Sequence, residues 1–116
     1  MEWVDRLFGT IDKMDSNSFG RFLTDDATFK FGNAQPVKGK RNVLDAVSGF
    51  FSSIKGISHK LTGQWQVDGV VFVQGEVTYT RKDDKSITVP FLNLFNMNGS
   101  LVSEYLIYID VSPLYA

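Results

Sequence analysis

The chain has 116 residues, of which 43% are hydrophobic and 14% aromatic, and this is enough for one domain, residues 1–116, with its own core. Twelve basic and thirteen acidic residues give a net charge of −1 without a Lys/Arg run, so we expect no nucleic-acid partner. No apolar run approaches the roughly 20 residues of a membrane helix, and the N-terminal residues do not resemble a secretory leader, so we expect a cytoplasmic protein without a membrane partner.

The cysteine and histidine counts restrict the cofactor chemistry. Zero cysteines exclude a disulfide framework, a thiolate nucleophile and a cysteine-based zinc site. The one histidine, His59, argues against a conventional metal site, because such catalytic sites usually use two or more imidazoles. The chain also lacks a glycine-rich nucleotide loop and a Ser-His-Asp signature. We therefore expect no metal and no cofactor.

Helical spacing of apolar residues predicts three helices in the first half of the chain. The first apolar stripe consists of Trp3, Val4, Leu7, Phe8 and Ile11. It predicts a helix over about 3–14, with Asp12 among the residues that point away from the stripe. A turn at 15–17 caps a short second helix over 18–23. A third helix is predicted over about 40–53.

The second half of the chain alternates with the period of a β-strand. A short strand is predicted at 27–31, and four longer strands are predicted at 57–67, 70–81, 86–97 and 101–111. The dipeptides Asp68-Gly69 and Asn98-Gly99 indicate tight hairpin turns between them. Three helices followed by an antiparallel meander define an α+β fold rather than an α/β fold.

Three segments carry a resemblance to a known family. The segment 22–29 has an acidic pair before Ala-Thr-Phe, 36–41 leads through a glycine into the third helix, and 98–110 forms the last hairpin. In this order they resemble the SnoaL-like, nuclear-transport-factor-two-like superfamily, which includes the ketosteroid-isomerase-like proteins. The resemblance implies three N-terminal helices on a strongly curved, mostly antiparallel mixed sheet, which forms a cystatin-like cone around an apolar pocket.

The resemblance also argues against one chemistry of that superfamily. Ketosteroid isomerases need a carboxylate base and an oxyanion hole made by a tyrosine and a protonated aspartic acid. Their positions correspond here to Phe31, Leu7 and Phe91. Apolar side chains neither transfer a proton nor donate to an oxyanion, so this protein is not a ketosteroid isomerase by its residues.

Strand alternation, combined with the register of the family, assigns one face of the sheet to the pocket. The predicted ligand-binding residues are Trp3, Phe29, Phe31, Phe50, Trp65, Val73, Phe91, Asn93, Leu106 and Tyr108. Asn93 and Tyr108 suit the orientation of a ligand carbonyl or hydroxyl, and each also suits an interior polar role without a ligand. The aromatic residues among them fit a core or a pocket wall.

Three titratable residues of the same predicted face are candidates for acid and base catalysis. An imidazole can accept or donate a proton in catalysis, so His59 becomes a candidate if Asp110 or Glu104 fixes its tautomer. The alternative is a half-buried histidine bonded to a backbone carbonyl. Burial of Glu104 would raise its pKa, whereas an exposed position would leave it without a role. Asp110 is a catalytic candidate or a cap of the backbone near Ser112.

The opposite face is too apolar in its later strands to face water alone. It is predicted to carry Gln64, Gln66, Gln74, Glu76, Thr78, Leu92, Leu94, Tyr105, Ile107 and Ile109. Relatives of this kind dimerise through this face, so the resemblance implies a homodimer.

The leading hypothesis is a pocket for a small apolar or aromatic ligand, with cofactor-free isomerisation, hydration, hydrolysis or cyclisation as the candidate reactions. The alternatives are a noncatalytic adaptor or subunit that binds a protein partner, and a pocket filled by its own aromatic side chains.

Overall fold

The computed structural model describes all 116 residues. The helices are α1 (Glu2–Asp12), α2 (Ser16–Gly20) and α3 (Lys40–Ser53). The strands are β1 (Leu23–Phe31), β2 (Val37–Lys38), β3 (Gly56–Val67), β4 (Val70–Thr80), β5 (Ser86–Asn98) and β6 (Leu101–Ile109), and a short 3-10 helix covers Ser112–Tyr115. The predicted α+β order is confirmed, and β2 is the strand that the sequence pattern missed.

The six strands form one mixed sheet in the order β2-β1-β6-β5-β4-β3. The β1–β6 pair is parallel, and the other four pairs are antiparallel. Two-residue turns at Asp68-Gly69 and Gly99-Ser100 join consecutive strands of the meander. Asp68 and Gly99 have φ angles of 54° and 63°, which is the left-handed conformation that such turns require.

The helices pack on one face of the sheet and enclose a core of 23 buried hydrophobic residues. The apolar stripe of α1 contributes Val4, Leu7, Phe8 and Ile11 to it. Each buried side chain of this size stabilises the fold by roughly 1.5–3 kcal/mol relative to an exposed one. None of the three helices has the length and apolar character needed to cross a membrane.

Two β-bulges interrupt the register of the meander. In β3, Leu61 pairs with Gly75 and Gly63 pairs with Gln74, which leaves Thr62 as an extra residue. In β6, Val102 pairs with Met97 and Glu104 pairs with Asn96, which leaves Ser103 as an extra residue. One inserted residue moves every later side chain of that strand to the other face of the sheet, because side chains alternate with a period of two.

Candidate active site

A cavity of about 400 Å³ lies on the helix-covered face of the sheet. Nineteen of its 23 lining residues are hydrophobic, so the cavity suits an apolar ligand with few polar groups. Six residues singled out from the sequence line it, namely Phe29, Phe31, Phe50, His59, Phe91 and Asn93. The side chains of the protein therefore do not fill the cone completely.

The chain segments after β1 and after β6 also contribute to the wall of the cavity. Asn33 and Gln35 come from the turn after β1, and Tyr115 comes from the C-terminal 3-10 helix. Arg81 Nη1 donates hydrogen bonds to the carbonyl oxygens of Leu114 at 3.3 Å and Ala116 at 3.0 Å. This contact fixes the C-terminal segment against the end of β4.

His59, one of the lining residues of the cavity, forms a pair with Asp12, which does not itself line the cavity. The Oδ1 atom of Asp12, the last residue of α1, lies 2.5 Å from His59 Nδ1 on β3. Asp12 Oδ2 accepts a second hydrogen bond from the His59 backbone N–H at 3.2 Å. Both carboxylate oxygens therefore hold the same residue, and the His59 side chain is only 9% exposed. The partner of the imidazole is Asp12, so neither of the partners considered from the sequence, Asp110 or Glu104, fixes the tautomer of His59, and neither does a backbone carbonyl.

Aromatic rings fix the orientation of the His59 imidazole. The ring of Phe8 packs edge-on against it with centroids 4.8 Å apart, and that of Phe91 packs edge-on at 5.4 Å. No protein group hydrogen-bonds His59 Nε2, since the one side-chain hydrogen bond of this imidazole is made by Nδ1. When Nδ1 carries the proton shared with Asp12, the lone pair of Nε2 is available to a ligand.

A second polar pair is formed by Asn93 on β5 and Tyr105 on β6. Asn93 Nδ2 donates to the Tyr105 hydroxyl at 3.3 Å, and both residues line the cavity. Asn93 is 2% exposed, yet its Oδ1 atom has no hydrogen-bond partner. Buried polar atoms without a partner are rare in folded proteins, so this oxygen needs an explanation.

Burial keeps Tyr105 and Tyr79, two of the three tyrosines that line the cavity, in their neutral form. It raises the pKa of the Tyr105 hydroxyl far above its usual value, and the charges of Tyr79 and Asp12 add to this rise. Burial also raises the pKa of Tyr79, with a smaller contribution from Tyr115. Tyr105 and Tyr79 can therefore act as hydrogen-bond donors to a ligand, but not as bases near neutral pH.

The predicted pocket face of β6 is wrong. Tyr105, Ile107 and Ile109 line the cavity, whereas the prediction assigned that face to Glu104, Leu106, Tyr108 and Asp110. The cause is the bulge at Ser103. A regular hairpin from the Gly99-Ser100 turn would pair Phe95 with Glu104, but the extra residue pairs Phe95 with Tyr105 instead.

The same kind of error affects Trp65 on β3. The bulge at Thr62 pairs Trp65 with Phe72, on the outer face, and leaves Trp65 51% exposed. Gln64 pairs with Val73 and Gln66 pairs with Val71, so these two glutamines lie on the helix-covered side. The predicted role of Trp65 in the pocket wall is therefore incorrect.

The two predicted carboxylates lie outside the cavity. Asp110 is exposed, and its Oδ1 accepts a hydrogen bond from the Ser112 backbone N–H at 3.0 Å. This hydrogen bond holds the pKa of Asp110 below its usual value, as the capping alternative requires. The Glu104 carboxylate accepts a hydrogen bond from Asn96 Nδ2 on the neighbouring strand.

Trp3 and Val73 are core residues beside the cavity rather than parts of its wall. Trp3 packs edge-on against Phe95 with centroids 5.7 Å apart, and Val73 is fully buried. Both were predicted to bind a ligand, and neither lines the cavity. No group of three His, Cys, Asp or Glu side chains is placed to hold a metal ion.

The sequence contained an indication that Asp12 contacts His59, but the apolar pattern of the helix alone does not reveal it. Asp12 follows Phe8 by four residues, and residues four apart lie on the same face of a helix. Phe8 belongs to the buried stripe and contacts His59, so the next turn of α1 brings Asp12 to the same imidazole. Tyr105 had no comparable signal, because its face depends on the bulge.

The fold and the sequence together identify the family. A family model of the SnoaL-like domain matches residues 4–105, and the chain belongs to this family. No curated protein matches the sequence. The matched residues include Asp12, His59, Asn93 and Tyr105, so both polar pairs of the site lie within the family domain.

Solved structures share the fold at low sequence identity. A nuclear-transport-factor-two-like protein of unknown function from Burkholderia pseudomallei has a TM-score of 0.88 at 12% identity, covering 98% of this chain and 92% of that one. A protein of Catenulispora acidiphila with a ketosteroid-isomerase-like fold, in complex with trimethylamine, has a TM-score of 0.86 at 14% identity, with coverage of 94% and 85%. A putative SnoaL-like polyketide cyclase from a Jannaschia species has a TM-score of 0.85 at 18% identity, with coverage of 98% and 87%. The α+β cone with its mixed sheet is thereby confirmed.

Proposed function

We propose that this protein binds a small, largely apolar or aromatic molecule in the cavity and catalyses a cofactor-free proton transfer on it with the Asp12–His59 pair. The observation that carries the proposal is the 2.5 Å contact between Asp12 Oδ1 and Nδ1 of His59, which lines an apolar cavity. A buried imidazole in contact with a partly exposed carboxylate, beside an open space, has the arrangement of the base and orienting group of many enzymes.

The proton transfer follows from the two nitrogens of His59. The Nε2 lone pair removes a proton from a C–H or O–H group of the ligand, and the pair of electrons stays on the ligand. Asp12 holds the tautomer and stabilises the imidazolium that results. Nε2 then returns the proton to another atom of the ligand, which completes an isomerisation, or to a departing hydroxyl, which completes a dehydration. Cyclisation and hydration use the same two half-steps.

The surroundings of His59 support this chemistry. Phe8 and Phe91 flank the imidazole and keep water from one side of it. In such a low-dielectric site, hydrogen bonds and charges act more strongly than they do in water. The Catenulispora relative was solved with a bound small molecule, and this supports a ligand site within the same fold.

Exchange of carbon-bound protons in D2O tests the proposed catalysis. A panel of carbon acids of cavity size, with 2-indanone as the first member, is incubated with the protein, and deuterium uptake is followed by NMR. We expect His59→Gln to lower the exchange rate by about 10²-fold or more, because general base catalysis contributes roughly 10²–10⁴-fold. Asp12→Asn is expected to lower the rate as well, since it removes the charge that stabilises the imidazolium.

Glu104→Gln provides the matched control, because it removes a carboxylate on the outer face of the sheet while an amide can replace its bond with Asn96. This variant is expected to exchange protons at the wild-type rate. Equal rates for the wild type, His59→Gln and Glu104→Gln across the panel would contradict the proposed role of the Asp–His pair.

The alternative function is that of a noncatalytic adaptor. In an adaptor, the polar groups of the cavity would have no functional role. In the Asp12–His59 pair and in the Asn93–Tyr105 pair, the two side chains lie within hydrogen-bond reach of each other, as an enzyme or ligand site would need.

The cytoplasmic location remains a prediction from the sequence.

The outer face of the sheet supports the proposal of a homodimer. Trp65, Leu92 and Tyr108 are 51%, 38% and 57% exposed on this face. Strand pairing places Leu92 beside Tyr108, and it joins Trp65 to Phe72 on the neighbouring strand. Several exposed apolar residues on one face of a sheet indicate an interaction surface on a folded protein. A second copy of the same chain would cover it with an identical patch.

We expect the wild-type protein to sediment as a dimer at micromolar concentration and Tyr108→Glu to sediment as a monomer. A charge at the centre of an apolar interface costs several kcal/mol when it has no partner. Lys82→Glu, in the exposed loop after β4, serves as the control and should remain dimeric. A wild-type mass equal to one chain would exclude the dimer.

A further inference from the structure

We infer that the cavity contains a subsite for one uncharged hydroxyl group of the ligand, formed by Asn93 Oδ1 and the Tyr105 hydroxyl. This inference rests on the proposed function, because it concerns the same cavity and names the class of its ligand. It also makes a separate claim, since the Asp12–His59 pair takes no part in the subsite.

The first argument is the unpartnered oxygen of Asn93. The residue is 2% exposed, its amide nitrogen is bonded to Tyr105, and its Oδ1 atom has no partner in the protein. A buried acceptor without a donor lowers the stability of the folded protein, and a fully apolar residue of similar shape would avoid this loss. Because Asn93 lines the cavity, a ligand can supply the missing donor.

The second argument is the free donor of Tyr105. Its oxygen accepts the hydrogen bond from Asn93 Nδ2, so its own O–H bond is not used in that contact. No protein acceptor is in hydrogen-bond contact with this hydroxyl, and Tyr105 lines the cavity beside Asn93. The pair therefore offers a ligand one acceptor and one donor at adjacent positions.

Among the oxygen functions hydroxyl, carbonyl and ether, the hydroxyl group is the one that satisfies both positions at once. Its proton is donated to Asn93 Oδ1, and its oxygen accepts the proton of Tyr105. A carbonyl or ether oxygen accepts only, and it would leave the Asn93 acceptor unsatisfied. An apolar ligand would leave both groups without partners.

The charge distribution of the cavity disfavours an anionic ligand. The Asp12 carboxylate is close enough to Tyr105 for its charge to disfavour the ionised phenol. No Lys or Arg lines the cavity, so nothing there compensates a phosphate or a carboxylate of a ligand. The ligand class is therefore an uncharged alcohol, phenol or enol on a compact apolar skeleton.

A set of three compounds with one skeleton tests the inference. Indane carries no polar group, 2-indanone carries an acceptor, and 2-indanol carries both a donor and an acceptor. We expect 2-indanol to bind the wild-type protein about tenfold more tightly than the other two, in Kd values from NMR titration, because it makes the hydrogen bonds that the others leave unmade.

Asn93→Leu is expected to reduce the advantage of 2-indanol and to leave the Kd of indane unchanged or lower. Gln74→Leu removes an exposed amide on the outer face of the sheet, away from the cavity, and should preserve the ranking of the wild type. If Asn93→Leu fails to fold, the ranking of the three compounds by the wild-type protein still decides the question.

The possible outcomes separate the inference from the proposed function. Equal binding of the three compounds, or tighter binding of 2-indanone, overturns the hydroxyl subsite and leaves the apolar cavity as a ligand site. The second of these results would mean that the amide nitrogen of Asn93 faces the ligand. Failure of all three compounds to bind overturns the subsite together with the proposed ligand site.

Discussion

Replacing Gly75 with alanine is expected to lower the free energy of unfolding by about 3 kcal/mol, the upper part of the range for overpacked positions. Gly75 pairs with Leu61 at the β3 bulge, where the backbone of β3 comes very close. An added Cβ atom would lie closer than 3.0 Å to Lys60 O, which is a backbone atom of a paired strand. The strand must move to accept it, because a backbone atom cannot rotate away as a side chain can.

Gly63→Ala is the matched control for this change. Its added Cβ would also come closer than 3.0 Å to another atom, but this atom belongs to the ring of Trp65. Trp65 is 51% exposed and can swing away, so we expect a loss below about 1 kcal/mol. Urea unfolding followed by far-UV circular dichroism measures both values. Similar losses for the two variants would refute the distinction between backbone and side-chain contacts.

The Asn93–Tyr105 pair is expected to show strong coupling in a double-mutant cycle. Asn93→Leu and Tyr105→Phe should each cost about 1–3 kcal/mol, because each leaves a buried polar group of the other residue unpaired. The double variant removes both groups and should be at least as stable as the wild type, since it also removes the unpartnered Asn93 Oδ1. Urea unfolding of the four proteins gives the coupling energy.

The Thr78–Thr88 hydrogen bond on the outer face provides the comparison for this cycle. It is 2.8 Å long and exposed, so water replaces either partner when it is lost. Changing both threonines to valine should therefore give a coupling energy near zero. Additive effects at Asn93 and Tyr105 would show that the buried pair is no more sensitive than this exposed one.

Local patterns were sufficient for most elements of the fold. The exceptions are the second helix, predicted over 18–23 and found at Ser16–Gly20, and the first strand, predicted at 27–31 and found at Leu23–Phe31. The third helix was predicted over 40–53 and is found at Lys40–Ser53, because its buried positions follow the helical period and a glycine precedes it. The meander strands were predicted within two residues of their ends, because Asp68-Gly69 and Asn98-Gly99 favour tight turns. The two-residue β2 is too short to produce a pattern of its own.

The candidate site was predictable only in part. Phe29 and Phe31 lie on the regular part of β1 after its register shift, and Phe91 lies on β5, which carries no extra residue, so alternation alone placed all three correctly. The faces of Trp65 and Tyr108 could not be derived in this way, because a bulge depends on hydrogen bonds between strands rather than on the composition of one strand.

Contacts between distant elements were the other part that the sequence did not reveal. Asp12 and His59 are 47 residues apart, and their contact depends on how α1 crosses the sheet. Amphipathicity describes which face of a helix is apolar, but it does not determine which polar residue at the edge of that face reaches a partner. Once the position of His59 is known, the four-residue spacing between Phe8 and Asp12 identifies Asp12 as the polar residue of α1 that reaches the imidazole.

The bulge at Ser103 has a consequence for evolution and for protein engineering. Residues 104–109 have two faces, and either face can line the cavity, depending on the register of β6. One face carries Tyr105 and Ile107, and the other carries Glu104, Leu106 and Tyr108. Loss of a single codon at position 103 would exchange them, turning a carboxylate toward the cavity and the neutral Tyr105 toward solvent. One deletion could therefore convert a neutral cavity into an acidic one without any amino-acid substitution.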